Sequence, residues 1–233
     1  MKLALLFQTF LLFSIFSFDQ DLSIDINRSQ MNDMEKAMIE EINLVRTNPK
    51  AYIPHLKKYA EEVKNKRGEY AAVKKVIQIL YSIKPLPALE PMDCLFESAK
   101  NHASEMSAAG KFDYKSANGD RPFERISSTC GELVADPMFP QTFAQRAAGE
   151  SIGILNLAAT GNYPYNDVRK MNIMLMTENQ GLNNILNPKW KYVSTFTYAT
   201  KSKEFMKQYD TDVFRANYHW IQSFAAPRTM GTR

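Results

Sequence analysis

Histidine and cysteine, the residues most often recruited for nucleophilic catalysis and transition-metal binding, are few in this chain. It has three histidines and two cysteines. His55 follows Pro54 and His219 alternates along a segment of strand-like period, and neither has a partner at metal-ligand spacing. His102 lies on the apolar face of a helical segment, where a hydrogen-bonded core histidine is expected. The chain has no G-x-S-x-G nucleophile elbow. Cys94 and Cys130 form an even pair, which in an oxidising compartment suggests one disulfide, with two buried free thiols as the alternative. Such a bridge would contribute about 3–4 kcal/mol by restricting the unfolded chain. Asn27-Arg28-Ser29 is an N-glycosylation sequon in a polar segment, clear of any core.

The elements that position these residues must come from one domain, since 233 residues exceed a single typical domain only slightly. Met1-Lys2 and the apolar run Leu3 to Phe18 read as a secretory signal peptide over 1–18, with cleavage somewhere in 17–20. The run is shorter than the ~20 apolar residues that span a bilayer, and the polar tail 227–233 carries no lipid-anchor signal, so no membrane anchor is expected. The formal charge of +4 falls to about +3 without Lys2, too small an excess to point to nucleic acid. Lys57-Lys58, Lys64 to Arg67 and Lys74-Lys75 are interleaved with Glu61, Glu62 and Glu69, as on solvated helix faces.

Asn32 with Glu35 makes a capping box that opens a helix over 33–47, and Met34, Met38, Ile42 and Val45 form its apolar stripe up to Pro49. A second helix is predicted from Ala51 or Pro54. A third runs from Glu69 to Ile83, with Val73, Val76, Ile77 and Leu80 on one face. Pro85-Leu86-Pro87 breaks the pattern. A fourth helix runs from about Pro91 to Ala109, with Gly110 as its stop. Asn118-Gly119-Asp120 is a turn, Pro122 to Ser128 a short helix, Thr129 to Arg146 a long loop, and Asn166 to Thr177 a helix. Period-two alternation around Tyr192 to Tyr198 and Tyr218 to Phe224 predicts two paired strands. Helices flanking a small sheet make an α+β three-layer domain.

Seven local signatures in order resemble the CAP superfamily, the SCP-domain family of cysteine-rich secretory proteins, antigen 5 and pathogenesis-related 1. They are the Asn43 to Pro49 helix end, Ala99-Lys100-Asn101-His102-Ala103-Ser104-Glu105-Met106, Gly110 to Gly119, Phe123-Glu124-Arg125-Ile126, Gly149-Glu150-Ser151-Ile152, Asn184-Ile185-Leu186-Asn187-Pro188 and Trp220 to Phe224. The match spans about Met34 to Ala225, within a domain of 34–226 preceded by a polar segment over 19–33. It implies an α-β-α sandwich with a small, mainly antiparallel sheet around a central cavity, in an extracellular protein.

In that family two histidines and one or two glutamates converge on the cavity and in several members can hold a divalent cation. Here Tyr114 stands at the first histidine position, and Gly181 at the second, with Leu182 in place of the arginine. A neutral tyrosine, with an ordinary pKa of about 10, is a poor metal ligand, and glycine offers nothing. Glu150 remains of the set. Glu178 can reach the same cavity and pair with it, to hold a hard cation weakly or do acid–base work. The alternatives are a solvated helix end for Glu178 and, for Glu150, a buried turn whose backbone N–H groups its carboxylate accepts. No metal or cofactor is therefore expected. The resemblance implies non-catalytic binding of a lipid, a sterol or an extracellular protein partner. The competing readings are a hydrolase or peptidase-like enzyme using Glu150 with Glu178 or Tyr114, and a structural secreted component.

Overall fold

The computed structural model describes residues 29–131, 147–158, 165–201 and 215–227. The expected signal peptide, the Asn27 sequon, the loop through Pro137 and Pro140 and the end of the chain from 228 lie outside the described residues. Helix α1 (Asp33–Thr47) opens on the expected capping box: Asn32 Oδ1 accepts the Glu35 N–H at 2.9 Å and Glu35 Oε2 accepts the Asn32 N–H at 2.8 Å. Its stripe of Met38, Ile42 and Val45 is fully buried. Pro49 does not end the helical region but opens α2 (Pro49–Glu62), with Asn48 closing one helix and capping the next. Proline suits a first helical turn, where its missing N–H has no partner to lose, so α2 begins earlier than Ala51 or Pro54.

Helix α3 (Arg67–Ser82) buries Val73, Val76, Ile77 and Leu80, the face its period marks. The chain then runs extended along α1. The Asn43 carboxamide bonds both backbone groups of Leu89, at 2.7 and 3.0 Å, and Arg46 Nε donates to the Pro87 carbonyl at 2.8 Å. Pro91 lies not in a helix but in the two-residue strand β1 (Glu90–Pro91), after which α4 (Asp93–Ala109) begins. Gly110 ends α4 at φ 58°, in the left-handed region that only glycine enters without cost. Helix α5 (Pro122–Cys130) follows, and the Cys94–Cys130 disulfide ties its end to the start of α4.

The sheet has four strands, β1, β2 (Ala148–Ala158), β3 (Tyr192–Lys201) and β4 (Arg215–Ala225), in the order β1-β3-β4-β2. The two strands expected near the C-terminus pair antiparallel, from Tyr192 opposite Ala225 to Lys201 opposite Ala216. β2 lies antiparallel on the other side of β4 along its whole length, and β1 is parallel to β3. Helices α6 (Tyr165–Thr177) and α7 (Asn179–Ile185) join β2 to β3. The fold is α+β.

Side chains alternate across the sheet with the period of two that a pleated strand imposes. Ile152, Phe196, Tyr198 and Ile221 pack with Phe96, Ala99, Ala103 and Met106 of α4. Val193, Tyr218, Trp220 and Phe224 share the larger core with α1, α2, α3 and α6. The sheet is therefore covered on both faces, by α4 and α5 on one side and by α1 and α6 on the other, where α2 packs on α1 and α3 on α2 and α6. Among the described residues no helix is long and apolar enough to cross a membrane.

Candidate functional site

Glu150 shares a sheet face with Ile152 and so points to the layer of α4 and α5. Its residue is 3% exposed. It is in a strand rather than a turn, and its carboxylate meets a guanidinium instead of backbone N–H groups: Arg125 Nη2 donates to Oε1 at 2.8 Å. Arg125, on α5, is itself buried and also donates from Nη1 to Ser116 Oγ at 3.0 Å. His102, on α4, brings Nε2 to 3.9 Å from the same Oε1. That nitrogen bonds the Asp113 carbonyl at 2.9 Å. A carbonyl only accepts, so Nε2 carries the proton. On the other side of the ring Nδ1 lies 3.5 Å from Glu105 Oε2. Burial pushes the Glu150 carboxyl above its ordinary range, an effect that the Arg125 and His102 charges oppose without cancelling.

The other three residues of the expected cavity are placed differently. Tyr114 is half-buried beside β2, and desolvation raises its pKa against a hydrogen bond from the Ile152 backbone, with the Glu178 and Glu150 carboxylates adding to the rise. It is held as a neutral phenol near both carboxylates. Glu178 is on the exposed rim at the corner between α6 and α7, where it occupies the N-cap position of α7: its carbonyl accepts the Leu182 N–H at 3.4 Å while its side chain makes no cap bond, and partial desolvation moves its carboxyl upward. Gly181 faces α6: a Cβ there would lie 1.9 Å from the Leu175 carbonyl oxygen. No side chain fits, so its glycine is dictated by the contact between the two helices.

Glu150 alone of the four lines a cleft of about 640 Å³ between the start of α5, the edge of β2 and α7. One wall is a stripe of carboxamides, Gln180, Asn183, Asn184 and Asn187, spaced i, i+3, i+4 and i+7 along α7 and its end. Asn184 anchors that wall, donating from Nδ2 to the Glu150 carbonyl and to Ser151 Oγ, both at 2.9 Å. This approach requires Gly149, where a Cβ would stand 2.6 Å from Asn184 Oδ1. Trp190 closes the floor, and Arg121, Phe123 and Glu124 make the opposite side. Behind the cleft surface Glu150 Oε2 and Trp190 Nε1 are buried without a hydrogen-bond partner among the described residues, the first on the α4–α5 side of β2 and the second on the side of Gly149.

No family model and no curated protein matches this chain. Among solved structures, an outer surface protein of Borrelia burgdorferi is similar to it over 73% of this chain and 95% of its own, at 11% identity and a TM-score of 0.37. That likeness is too low to carry any argument.

The remaining histidines have structural partners. His55 Nδ1 accepts from Arg169 Nη1 at 3.2 Å, which keeps the ring neutral, and burial and the Arg169 charge lower its pKa. Arg169 also clasps the buried Glu41 carboxylate, which accepts the Tyr52 hydroxyl at 2.7 Å, in a polar network linking α1, α2 and α6. His219 stacks on Tyr198 at 4.5 Å and bonds Thr200 at 2.9 Å. Burial lowers its pKa to about 4. Among the described residues no group of three or more histidine, cysteine or acidic side chains is placed to hold a metal ion.

Sequence reasoning missed Arg125 and His102 as neighbours of Glu150, since they lie 25 and 48 positions away with no local pattern to link them. The carboxamide stripe did have a signal: four amides at helical spacing in Gln180 to Asn187.

Proposed function

We propose that this chain is a secreted, non-catalytic binding protein built on a CAP-type domain, and that its ligand enters the cleft between α5, β2 and α7. The observation that carries the reading is the use of Glu150: its Oε1 is committed to Arg125 in a buried ion pair, while the cleft beside it presents four carboxamides and Glu124, whose Oε2 accepts the Arg121 N–H at 2.7 Å at the start of α5. Acid–base catalysis needs a carboxylate within reach of substrate whose protonation is free to change. A carboxylate matched to a buried guanidinium serves poorly. The order of motifs from Asn43 to Phe224 supports the family reading, and the Cys94–Cys130 bridge supports an oxidising compartment.

Native mass spectrometry of protein recovered from the growth medium tests this, with Asn183→Trp as a variant that fills the cleft. The expected result is a retained ligand that the variant loses. Equal retention by both proteins would refute the cleft as the site. Hydrolysis of an ester or peptide panel by the wild type, abolished in Glu150→Gln at a temperature where that variant is still folded, would make the protein an enzyme instead.

A further inference from the structure

We propose that the outer face of the α2–α3 hairpin docks a linear sulfated polysaccharide, on a surface separate from the cleft and independent of its ligand. The small net charge of the chain hides a segregation. Residues 49–84 hold nine of its 29 lysines and arginines but only three of its 25 aspartates and glutamates, an excess of six positive charges. The rest of the chain has 20 of the one and 22 of the other, an excess of two negative charges. All nine cations of the hairpin are exposed. Charge of one sign gathered on one element of an otherwise slightly acidic molecule draws in and orients a polyanion.

The cations are also ordered. Lys50, Lys57 and Lys64 follow at intervals of seven along α2 and just past its end, and Arg67, Lys74 and Tyr81 do so along α3. Seven residues are two turns, about 10.5 Å of rise, so each set keeps to one stripe of its helix. The two helices are joined by a short turn and pack on each other, and Lys57 Nζ lies 5.9 Å from the centre of the Tyr81 ring. Tyr81 therefore stands beside Lys57, and Lys74 beside Lys64 one step nearer the turn. The glutamates do not close this face. Glu69 is taken up by Lys66 at 3.1 Å, and Glu62 lines the groove between α2 and α6 with Lys58 and Lys170. Glu61 shares the stripe and is outnumbered by the cations around it. The step along each row is close to the length of two pyranose rings, so a chain sulfated once per disaccharide meets successive cations in register. Tyr81, 53% exposed, offers its ring to the C–H face of a sugar. It is the one exposed large apolar side chain among the described residues of the hairpin, so the face has nothing to sink into a bilayer. Such polymers are extracellular, as is the oxidising compartment that the Cys94–Cys130 bridge supports.

Isothermal titration of the full disulfide-bonded protein with a heparin octasaccharide, at about 0.15 M salt, where exposed charges more than roughly 8 Å apart are screened, tests the assignment. Saturable binding is expected. The triple variant Lys57→Glu, Lys64→Glu, Lys74→Glu should weaken it tenfold or more, and the same three changed to glutamine should weaken it in the same direction. A control triple, Lys36→Glu, Lys115→Glu, Lys191→Glu, shifts net charge equally from outside the hairpin and should stay within threefold of the wild type. All six side chains are exposed, so each variant keeps the wild-type unfolding midpoint. Silence from the octasaccharide overturns the proposal, as does equal weakening by the hairpin and control triples, which would make net charge the cause. Polyphosphate of matched charge binding as tightly overturns the sugar class. Flotation with phosphatidylserine vesicles, with the octasaccharide silent, makes the face a membrane surface instead.

Discussion

Replacing Glu150 by glutamine should cost this domain about 3 kcal/mol. The change leaves the Arg125 guanidinium, 5% exposed, without its counter-charge. Breaking a buried pair by removing one partner costs roughly 3–5 kcal/mol. The bond to Ser116 Oγ survives and places the loss near the lower end. Arg125→Met, which strands the carboxylate instead, should cost a similar amount. The two changes should not add. Both charges are taken out of water, a cost that offsets most of their attraction, so the pair as a whole stabilises little compared with apolar residues of similar size. Glu150→Leu with Arg125→Met should therefore fall within about 1 kcal/mol of the wild type, far short of the roughly 6 kcal/mol to which the two single losses would sum. Urea unfolding followed by far-ultraviolet circular dichroism, with the slope unchanged, reads these differences directly. Single variants that each cost less than about 1 kcal/mol, or a double variant as unstable as their sum, would refute the account of a desolvated pair.

Four further outcomes follow from separate parts of the structure. Replacing Cys94 and Cys130 together by alanine should cost about 4 kcal/mol, read as a lower thermal midpoint, since the bridge closes residues 36 apart in sequence. Gly181→Ala places a methyl 1.9 Å from backbone that cannot rotate away, so α6 and α7 must separate, at a cost of about 3 kcal/mol in urea unfolding. Gly149→Ala meets the tip of Asn184 instead, and should cost only about 1 kcal/mol as that side chain swings off β2. His219, with a folded pKa of about 4 against an ordinary 6.5, contributes stability that is fully present above 6.5 and lost as pH falls through about 4. Its imidazole resonances should therefore not titrate above pH 5 in a nuclear magnetic resonance series, and a midpoint near 6.5 would contradict its burial.

The helices were legible because their signals are local. Asn32 and Glu35 mark the start of α1 three residues apart, and the stripes of α1, α3 and α4 repeat within a turn. Strands β3 and β4 were legible for the same reason, being rich in β-branched and aromatic residues at period two. β2 opens Ala148-Gly149-Glu150-Ser151, residues of little intrinsic strand preference. Its place in the sheet is set by β4, some seventy residues later in the chain, and by the close approach of Asn184 that Gly149 permits. Likewise α7 is seven residues with a glycine inside, too short to declare itself by period.

The same distinction explains why the site was only partly legible. Glu150, Tyr114 and Gly181 were found through position in an ordered set of motifs, which says where a residue falls but not what it faces. Gly181 is the clearest case. As a missing histidine it implies a lost ligand, whereas 1.9 Å from the Leu175 carbonyl it is a residue that nothing larger can replace while α6 and α7 keep this packing. A histidine placed at 181 would therefore build no metal site; it would force the two helices apart. Gly181→His should consequently unfold at a lower urea concentration than Gly181→Ala and show no metal-dependent rise in midpoint with zinc. A variant stabilised by zinc would show that α7 can move to bring position 181 into a cavity with Glu150.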